Sequence, residues 1–221
     1  MMFSGYGKKM IDFFFAVRFN NNREWFSENK QLYVTEAYEP TKALAEDLCA
    51  LMNKKYKRDF GWKCSRIYRD ARRPCPDGPY KDKLWFILWE RFDHWSETPT
   101  FFAEVSAEGI SYGMGCYMCA AGFMKNFRAK AEADGGSLSR LITKFERDGL
   151  FDLYGEEYKR PRGSVSPTVD KWYNLRYFGF STFEPWNSEN MSAELTTHLA
   201  ERFGTLMPIY RWLWECVVPI E

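Results

Sequence analysis

Positive charge is concentrated in one segment of the sequence, between residues 63 and 83. This segment has seven basic and three acidic residues, which give a local charge of +4, the largest charge excess in the chain. An arginine guanidinium is a planar fork that binds a phosphate or a carboxylate through two hydrogen bonds at once. Arg66, Arg69 and Arg72 could therefore converge on one anion, and Lys81 would add a further positive charge.

The spacing of the three arginines leaves two arrangements open. If the segment is extended, Arg66 and Arg72 lie on the same side as Tyr68 and Asp70, and Arg69 lies on the other side. If it is helical, the three arginines share one broad face. In either case the segment leads into a loop rich in proline and glycine, the kind of surface segment in which binding sites are common.

These residues support a first hypothesis, a binding site for a small anionic ligand, for example one that carries a phosphate group. Asp70 would set the geometry of the arginine forks, and either Trp25 or Tyr68 would form a wall of the site. The predicted ligand-binding residues are Arg66, Tyr68, Arg69, Asp70, Arg72, Lys81 and Trp25.

Two alternatives to this ligand site remain open. In the first, the arginines and Asp70 form a structural ion-pair network in a domain that has no catalytic activity and serves as a scaffold or interaction module. In the second, the protein is a metal-dependent phosphodiesterase or nuclease, a chemistry that clusters carboxylates around Mg²⁺. The nearby acidic residues are scattered, so no metal-ligand set is predicted. The sequence identifies no catalytic residue and no cofactor.

The cysteines give little indication of a metal or redox site. Cys116 and Cys119 form a lone Cys-x-x-Cys pair, whereas a structural zinc ion needs four ligands, and only His94 and His198 could complete the set. The pair also follows a predicted hairpin, unlike the redox pair of a thioredoxin-like domain. Both cysteines are therefore interpreted as small buried residues.

Composition excludes several classes of protein. A net charge of +1, from 31 basic and 30 acidic side chains, argues against general binding to nucleic acid. A hydrophobic content of 45% is too high for a disordered chain. No stretch approaches the roughly 18 apolar residues of a membrane span, and the short apolar run near residue 13 is not a signal peptide. We expect a single domain, residues 1–221, in the cytoplasm and without a membrane partner; the oligomeric state is not predicted.

The period of the apolar residues predicts helices in the first part of the chain. One helix is expected at about residues 8–18. A capping box of Asn21 and Glu24 predicts the start of the next, which runs to about Ala37. Pro40 suits the first turn of a third helix, because a proline lacks the N–H that has no partner there.

Alternating apolar residues predict a β-hairpin at 101–114, with Glu108-Gly109 as its turn. Helices follow at about 120–133 and 138–148. In the C-terminal segment, Gly204 and Pro208 predict two helices or one kinked helix. The fold class is therefore α+β, an antiparallel sheet with a central hairpin, packed by N-terminal, middle and C-terminal helices.

Two stretches resemble a known family. The first is residues 21–26, Asn-Asn-Arg-Glu-Trp-Phe; the second is residues 66–72, Arg-Ile-Tyr-Arg-Asp-Ala-Arg, followed by Pro-Tyr-Lys at 79–81. Together they resemble the conserved hypothetical family catalogued as domain of unknown function 2461, and the resemblance covers nearly the whole chain. It implies a cytoplasmic α+β domain of bacterial type and assigns no reaction.

The sequence departs from this family between Arg72 and Pro79. The family usually has a Phe and an Asp-Lys pair there, whereas residues 73–78 are Arg-Pro-Cys-Pro-Asp-Gly. If the Asp-Lys pair does chemistry in relatives, either Asp77 takes that role after a shift of one position or this chain has lost the activity.

Overall fold

The computed structural model describes residues 2–70, 72, 75–90, 98–116 and 121–217. Both His94 and Cys119 lie outside these residues. The helices are α1 (Lys8–Phe19), α2 (Arg23–Leu32), a π-helical turn (Tyr33–Tyr38), α3 (Glu39–Tyr56), α4 (Ala121–Ala133), α5 (Gly135–Asp148), α6 (Pro167–Tyr173) and α7 (Leu195–Trp214). The strands are β1 (Phe60–Cys64), β2 (Lys83–Glu90), β3 (Thr100–Ser106), β4 (Gly109–Gly115), β5 (Asp152–Glu157) and β6 (Leu175–Pro185).

The strands form one six-stranded antiparallel sheet in the order β1-β2-β3-β4-β6-β5. The α+β class is therefore confirmed, and the predicted hairpin, β3 and β4, occupies the two central positions. Its alternation is also confirmed, because Phe101, Ala103 and Val105 are all buried.

Within the described residues, no helix combines the length and the apolar character that crossing a bilayer requires.

The chain divides into two compact units. The first comprises Met1–Leu88, Phe102–Tyr112 and Phe183–Glu201, and the second comprises Trp89–Phe101, Gly113–Thr182 and Arg202–Glu221. The expectation of a single domain stays a prediction. All the residues of the predicted ligand site belong to the first unit.

The first unit begins with a helical layer. The predicted apolar stripe of α3 is buried at Leu44, Leu48 and Met52. Arg18, near the end of α1, binds two carboxylates: its Nε donates to Asp82 at 2.6 Å and its Nη2 to Glu108 at 2.9 Å. These ion pairs connect α1 with the start of β2 and with the turn of the hairpin.

Pro40 lies in the first turn of α3, as predicted, but no break separates α3 from the helix before it. The chain is helical without interruption from Arg23 to Tyr56, with the π-helical turn Tyr33–Tyr38 in its middle. A π-helical turn closes its hydrogen bonds over five residues instead of four. Pro40, which has no N–H to donate, therefore follows a turn where the α-helical bonding pattern is already interrupted.

In the second unit, β4 and β6 approach each other closely. A side chain on Gly113 would overlap with the backbone carbonyl of Phe180, so only glycine is tolerated there. In the C-terminal segment, where two helices or one kinked helix were predicted, the structure has a single helix, α7, which contains Pro208.

Candidate functional site

The residues of the two family-like stretches meet in the first unit. Residues 66–70 are extended and pair with residues 79–81 through an antiparallel bridge between Tyr68 and Tyr80. The N–H of Arg69 donates to the carbonyl of Pro79, and the N–H of Lys81 donates to that of Ile67, each at 2.8 Å. The extended arrangement, one of the two that the spacing allowed, is therefore the one that forms. We call residues 66–70 and 79–81 the paired motif.

Asn21 fixes the loop that leads into the second half of the paired motif. Its side-chain N–H groups donate to the carbonyls of Asp77 at 2.6 Å and Tyr80 at 2.9 Å, and its Oδ1 accepts from the N–H of Tyr80 at 2.9 Å. The helix N-cap is Asn22, whose Oδ1 accepts from the N–H of Trp25. The predicted capping box of Asn21 with Glu24 is therefore wrong, because the cap is the next residue, Asn22, and the residue three positions after it is Trp25.

Gly78 allows Asn21 to come this close. Its φ is +90°, a conformation that residues with a side chain rarely adopt. A Cβ at this position would also lie 2.5 Å from both Cγ and the carbonyl oxygen of Asn21. The loop therefore requires glycine for its backbone conformation and for the space that Asn21 occupies.

Two cationic side chains of the paired motif bind backbone carbonyls across it. Nε of Arg69 donates to the carbonyl of Tyr80 at 2.9 Å, and Nζ of Lys81 donates to that of Arg66 at 2.8 Å. Burial, and then the positive charge of Arg69, hold the pKa of Lys81 below its usual range. The positive charge of Arg69 therefore lies close enough to disfavour the charged form of Lys81.

The acidic groups around these cations compensate them only weakly. Nη2 of Arg69 lies 4.0 Å from the carboxylate of Asp77, whose side chain is 78% exposed. An ion pair of this length and exposure contributes little. Cys64 is a neutral neighbour, because burial raises the pKa of its thiol to about 12 even though Lys42 and Lys81 lower it.

Asp70 pairs with Arg72. Its two carboxylate oxygens accept from Nε and Nη2 of Arg72, each at 2.9 Å, in the bidentate geometry of an arginine fork. Arg72 is 89% exposed, so the pair lies at the surface. The contacts of Arg69 instead run to Tyr80 and Asp77.

Arg66 differs from the other cations of the paired motif. Its side chain is exposed. Among the residues that the structure describes, no hydrogen bond or ion pair of its guanidinium is found. Its five N–H donors are therefore available to an incoming anion.

An aromatic cluster lies beside these charges. The ring of Phe26 stacks on Tyr80 with centroids 4.0 Å apart, and it also meets the edge of Tyr68 at 5.7 Å. Trp25 stacks on Phe13 of α1 instead, at 5.7 Å. The ring that packs on Tyr68 and Tyr80 of the paired motif is therefore Phe26 rather than Trp25. This contact of Phe26 was not predicted from the sequence. Phe26 follows Trp25 on α2, and because successive side chains on a helix point about 100° apart, the two rings have different neighbours.

A second polar arrangement in the first unit was not expected from the sequence. The buried hydroxyl of Tyr112 donates to the carboxylate of Glu184, whose other oxygen lies 2.9 Å from Nε2 of His198. Glu184 and His198 line a cavity of about 100 Å³ together with Asn187, Glu189, Asn190 and Glu194. The three residues are 14 to 86 positions apart, so no local motif marks them.

Among the described residues, no group of three metal-ligating side chains that could hold a metal ion is found.

The structure is that of an α+β protein in which two short, charged sequence motifs, residues 21–26 and the paired motif, are joined by the hydrogen bonds of the Asn21 side chain. The chain belongs to the family described as Conserved hypothetical protein (DUF2461), whose sequence profile matches residues 9–212. That description assigns no activity. No match to a curated protein was found.

Proposed function

We propose that this protein binds a small anionic ligand, a phosphate ester, at the paired motif, with Arg66, Arg69 and Lys81 as the anion-binding residues. The observation that carries the proposal is the close placement of Arg69 and Lys81, whose nearest partners are backbone carbonyls rather than strongly paired carboxylates. Burial and, after it, the positive charge of Arg69 hold the pKa of Lys81 below its usual range, and an anion beside the two cations would offset the second of these causes.

The backbone geometry supports this proposal. The paired motif is held by two backbone hydrogen bonds and by the side chain of Asn21, and the side chains of Arg69 and Lys81 are held by backbone carbonyls, so these two cations are placed before a ligand arrives. Preorganised groups lose less conformational entropy when they bind. Arg66 then supplies the guanidinium whose donors are not used within the described structure.

The hydrogen bonds of Arg69 and Lys81 to backbone carbonyls also favour a second function, in which these two side chains only stabilise the fold. Each of these side chains joins one half of the paired motif to the other. Loss of either bond would therefore lower stability whether or not a ligand binds. Variants of Arg69 and Lys81 cannot separate the two functions, whereas a variant of Arg66 can.

The test is to measure the dissociation constant of ribose 5-phosphate by isothermal titration calorimetry for the wild type and for Arg66→Ala. We expect Arg66→Ala to weaken binding about tenfold, as for loss of a charge-assisted hydrogen bond, and to leave the melting temperature unchanged. Arg140→Ala, which removes an exposed arginine of α5, is the matched control and should change neither quantity. A wild-type protein that binds neither ribose 5-phosphate nor inorganic phosphate would leave the structural function as the explanation.

A further inference from the structure

The ring of Tyr68 is held rigidly and yet is half exposed. Its exposed fraction is 50%. It is fixed by two aromatic neighbours, Phe26 at 5.7 Å and Tyr80 at 5.5 Å, which themselves stack on each other. A tyrosine that serves only to fill a core would be covered. An exposed ring with fixed orientation is a surface on which another planar ring can stack.

The exposed face of this segment carries both a ring and a positive charge. Ser65 and Ile67 are buried, whereas Arg66 and Tyr68 are exposed, so the segment alternates inward and outward like a strand. Residues two apart on an extended chain are separated by about 7 Å along it. This spacing suits a ligand in which a planar ring and a phosphate are joined by a short linker, as in a nucleotide.

The charges on this face do not oppose such a ligand. The one carboxylate that follows on the same side, Asp70, is paired with Arg72 through both of its oxygens. Arg69 and Lys81, both partly exposed, add positive charge to the same paired motif. The electrostatic field of the surface is therefore suited to an anion next to the ring.

We infer that the ligand of the paired motif is a phosphate ester with a planar ring, a nucleotide, whose base stacks on Tyr68 while its phosphate binds Arg66. This inference rests on the proposed function, since it names the ligand class of the same site. Two sources offer this chemistry, a free mononucleotide and the end of a nucleic-acid single strand.

The experiment compares three probes by isothermal titration calorimetry: AMP, ribose 5-phosphate and adenosine. AMP is expected to bind about tenfold more tightly than ribose 5-phosphate, because one stacked base adds that much affinity. If ribose 5-phosphate binds and AMP binds no more tightly, the site is an anion site and the inference of a stacked ring is wrong. If none of the phosphate esters binds, the proposed function fails as well.

Variants of Tyr68 test the stacking directly. Tyr68→Leu should reduce the affinity for AMP about tenfold and leave that for ribose 5-phosphate unchanged, while Tyr68→Phe keeps the ring and the affinity. Tyr177→Leu removes another tyrosine of similar exposure, 40%, and is the matched control. An equal loss for AMP and ribose 5-phosphate in Tyr68→Leu would overturn the inference, since it would show that the variant disturbs only the phosphate site.

A fourth probe, the oligonucleotide dA4, distinguishes the two sources. Binding of dA4 with many times the affinity of AMP would assign the site to a single strand, and a similar affinity would assign it to a free nucleotide. Either result supports a ring and a phosphate as the recognised groups. Binding of dA4 that persists in Tyr68→Leu would count against stacking.

Discussion

Asn21 and Tyr80 are joined by two hydrogen bonds, one in each direction: the side-chain N–H of Asn21 donates to the carbonyl of Tyr80, and its Oδ1 accepts from the N–H of Tyr80, both at 2.9 Å. The amide thus binds the backbone as a neighbouring strand would. It connects two sequence motifs that are 59 residues apart. The motif at residues 21–26 is therefore a structural partner of the motif at 79–81.

The two neighbouring asparagines should have separable effects. Asn22→Ala removes only a helix cap and should lower the free energy of unfolding by about 1 kcal/mol. Asn21→Ala removes three hydrogen bonds to the loop and should lower it by about 2–3 kcal/mol. Urea denaturation measures both. Phosphate binding should weaken in Asn21→Ala and persist in Asn22→Ala. Equal effects of the two variants on binding would contradict the role of Asn21 in holding the paired motif.

Gly78→Ala should destabilise the loop through strain and through a clash with Asn21. The cost of placing alanine at φ +90° is about 1–3 kcal/mol. Gly149→Ala is the control, because Gly149 has φ +58° and a Cβ added there would meet no atom within 4 Å, so this variant bears strain of about 1 kcal/mol without a clash. In an Asn21→Ala background the cost of Gly78→Ala should fall, and thermal denaturation of the double variant would reveal whether it does.

The affinity for phosphate should depend on pH through Lys81. Its pKa lies below the usual value for lysine because of burial and of Arg69, so it loses its charge earlier as pH rises. Affinity should therefore decrease as pH rises through this lowered pKa, and binding should take up protons, since an anion restores the charged form. Calorimetric titrations at pH 7 to 10 measure both effects. Lys81→Arg, which stays charged, should flatten the dependence; an unchanged slope would show that another group titrates.

Acid should weaken the connection that Arg18 makes with the hairpin turn. The Arg18 guanidinium lowers the pKa of Glu108 to about 2, with smaller effects of Ser106 and the backbone. A carboxylate with a lowered pKa stabilises the fold above its unfolded pKa of about 4.5, and this contribution is lost as pH falls from there towards 2. The pair is exposed, so the effect is modest. Urea denaturation at pH 6 and pH 3 should show that the stability difference between the wild type and Glu108→Gln is smaller at pH 3 than at pH 6.

The hydroxyl of Tyr112 should contribute measurably to stability, because it is buried and binds the Glu184 carboxylate. Tyr112→Phe keeps the ring and removes this bond, and should lower the free energy of unfolding by about 2 kcal/mol. Tyr177→Phe, at an exposed tyrosine, should be neutral within about 0.5 kcal/mol. Similar values for the two variants, measured by urea denaturation, would show that the Tyr112–Glu184 bond adds nothing.

Elements with a clear period were predictable from the sequence. The hairpin β3–β4 follows from alternation over its strands, and the start of α1 was found to the residue. Local patterns were sufficient in these cases because the information lies within one element.

The parts that were missed depend on contacts between distant residues. Nothing local distinguishes Asn21 from Asn22 as the cap, because the choice depends on the loop at Asp77–Tyr80, which Asn21 binds. Likewise, Tyr112, Glu184 and His198 come together only in the folded sheet and helix. The identity of the cations was predictable from charge, whereas their carbonyl partners were not.

The π-helical turn between α2 and α3 changes the direction in which the side chains point along one long helix. Such a turn accommodates one extra residue, which rotates everything after it by about 100° relative to an uninterrupted α-helix. The face that presents Phe26 to the paired motif is thereby decoupled from the face that buries Leu44 and Leu48. One continuous helix can therefore pack against two surfaces that a regular α-helix of the same length would not face at the same time.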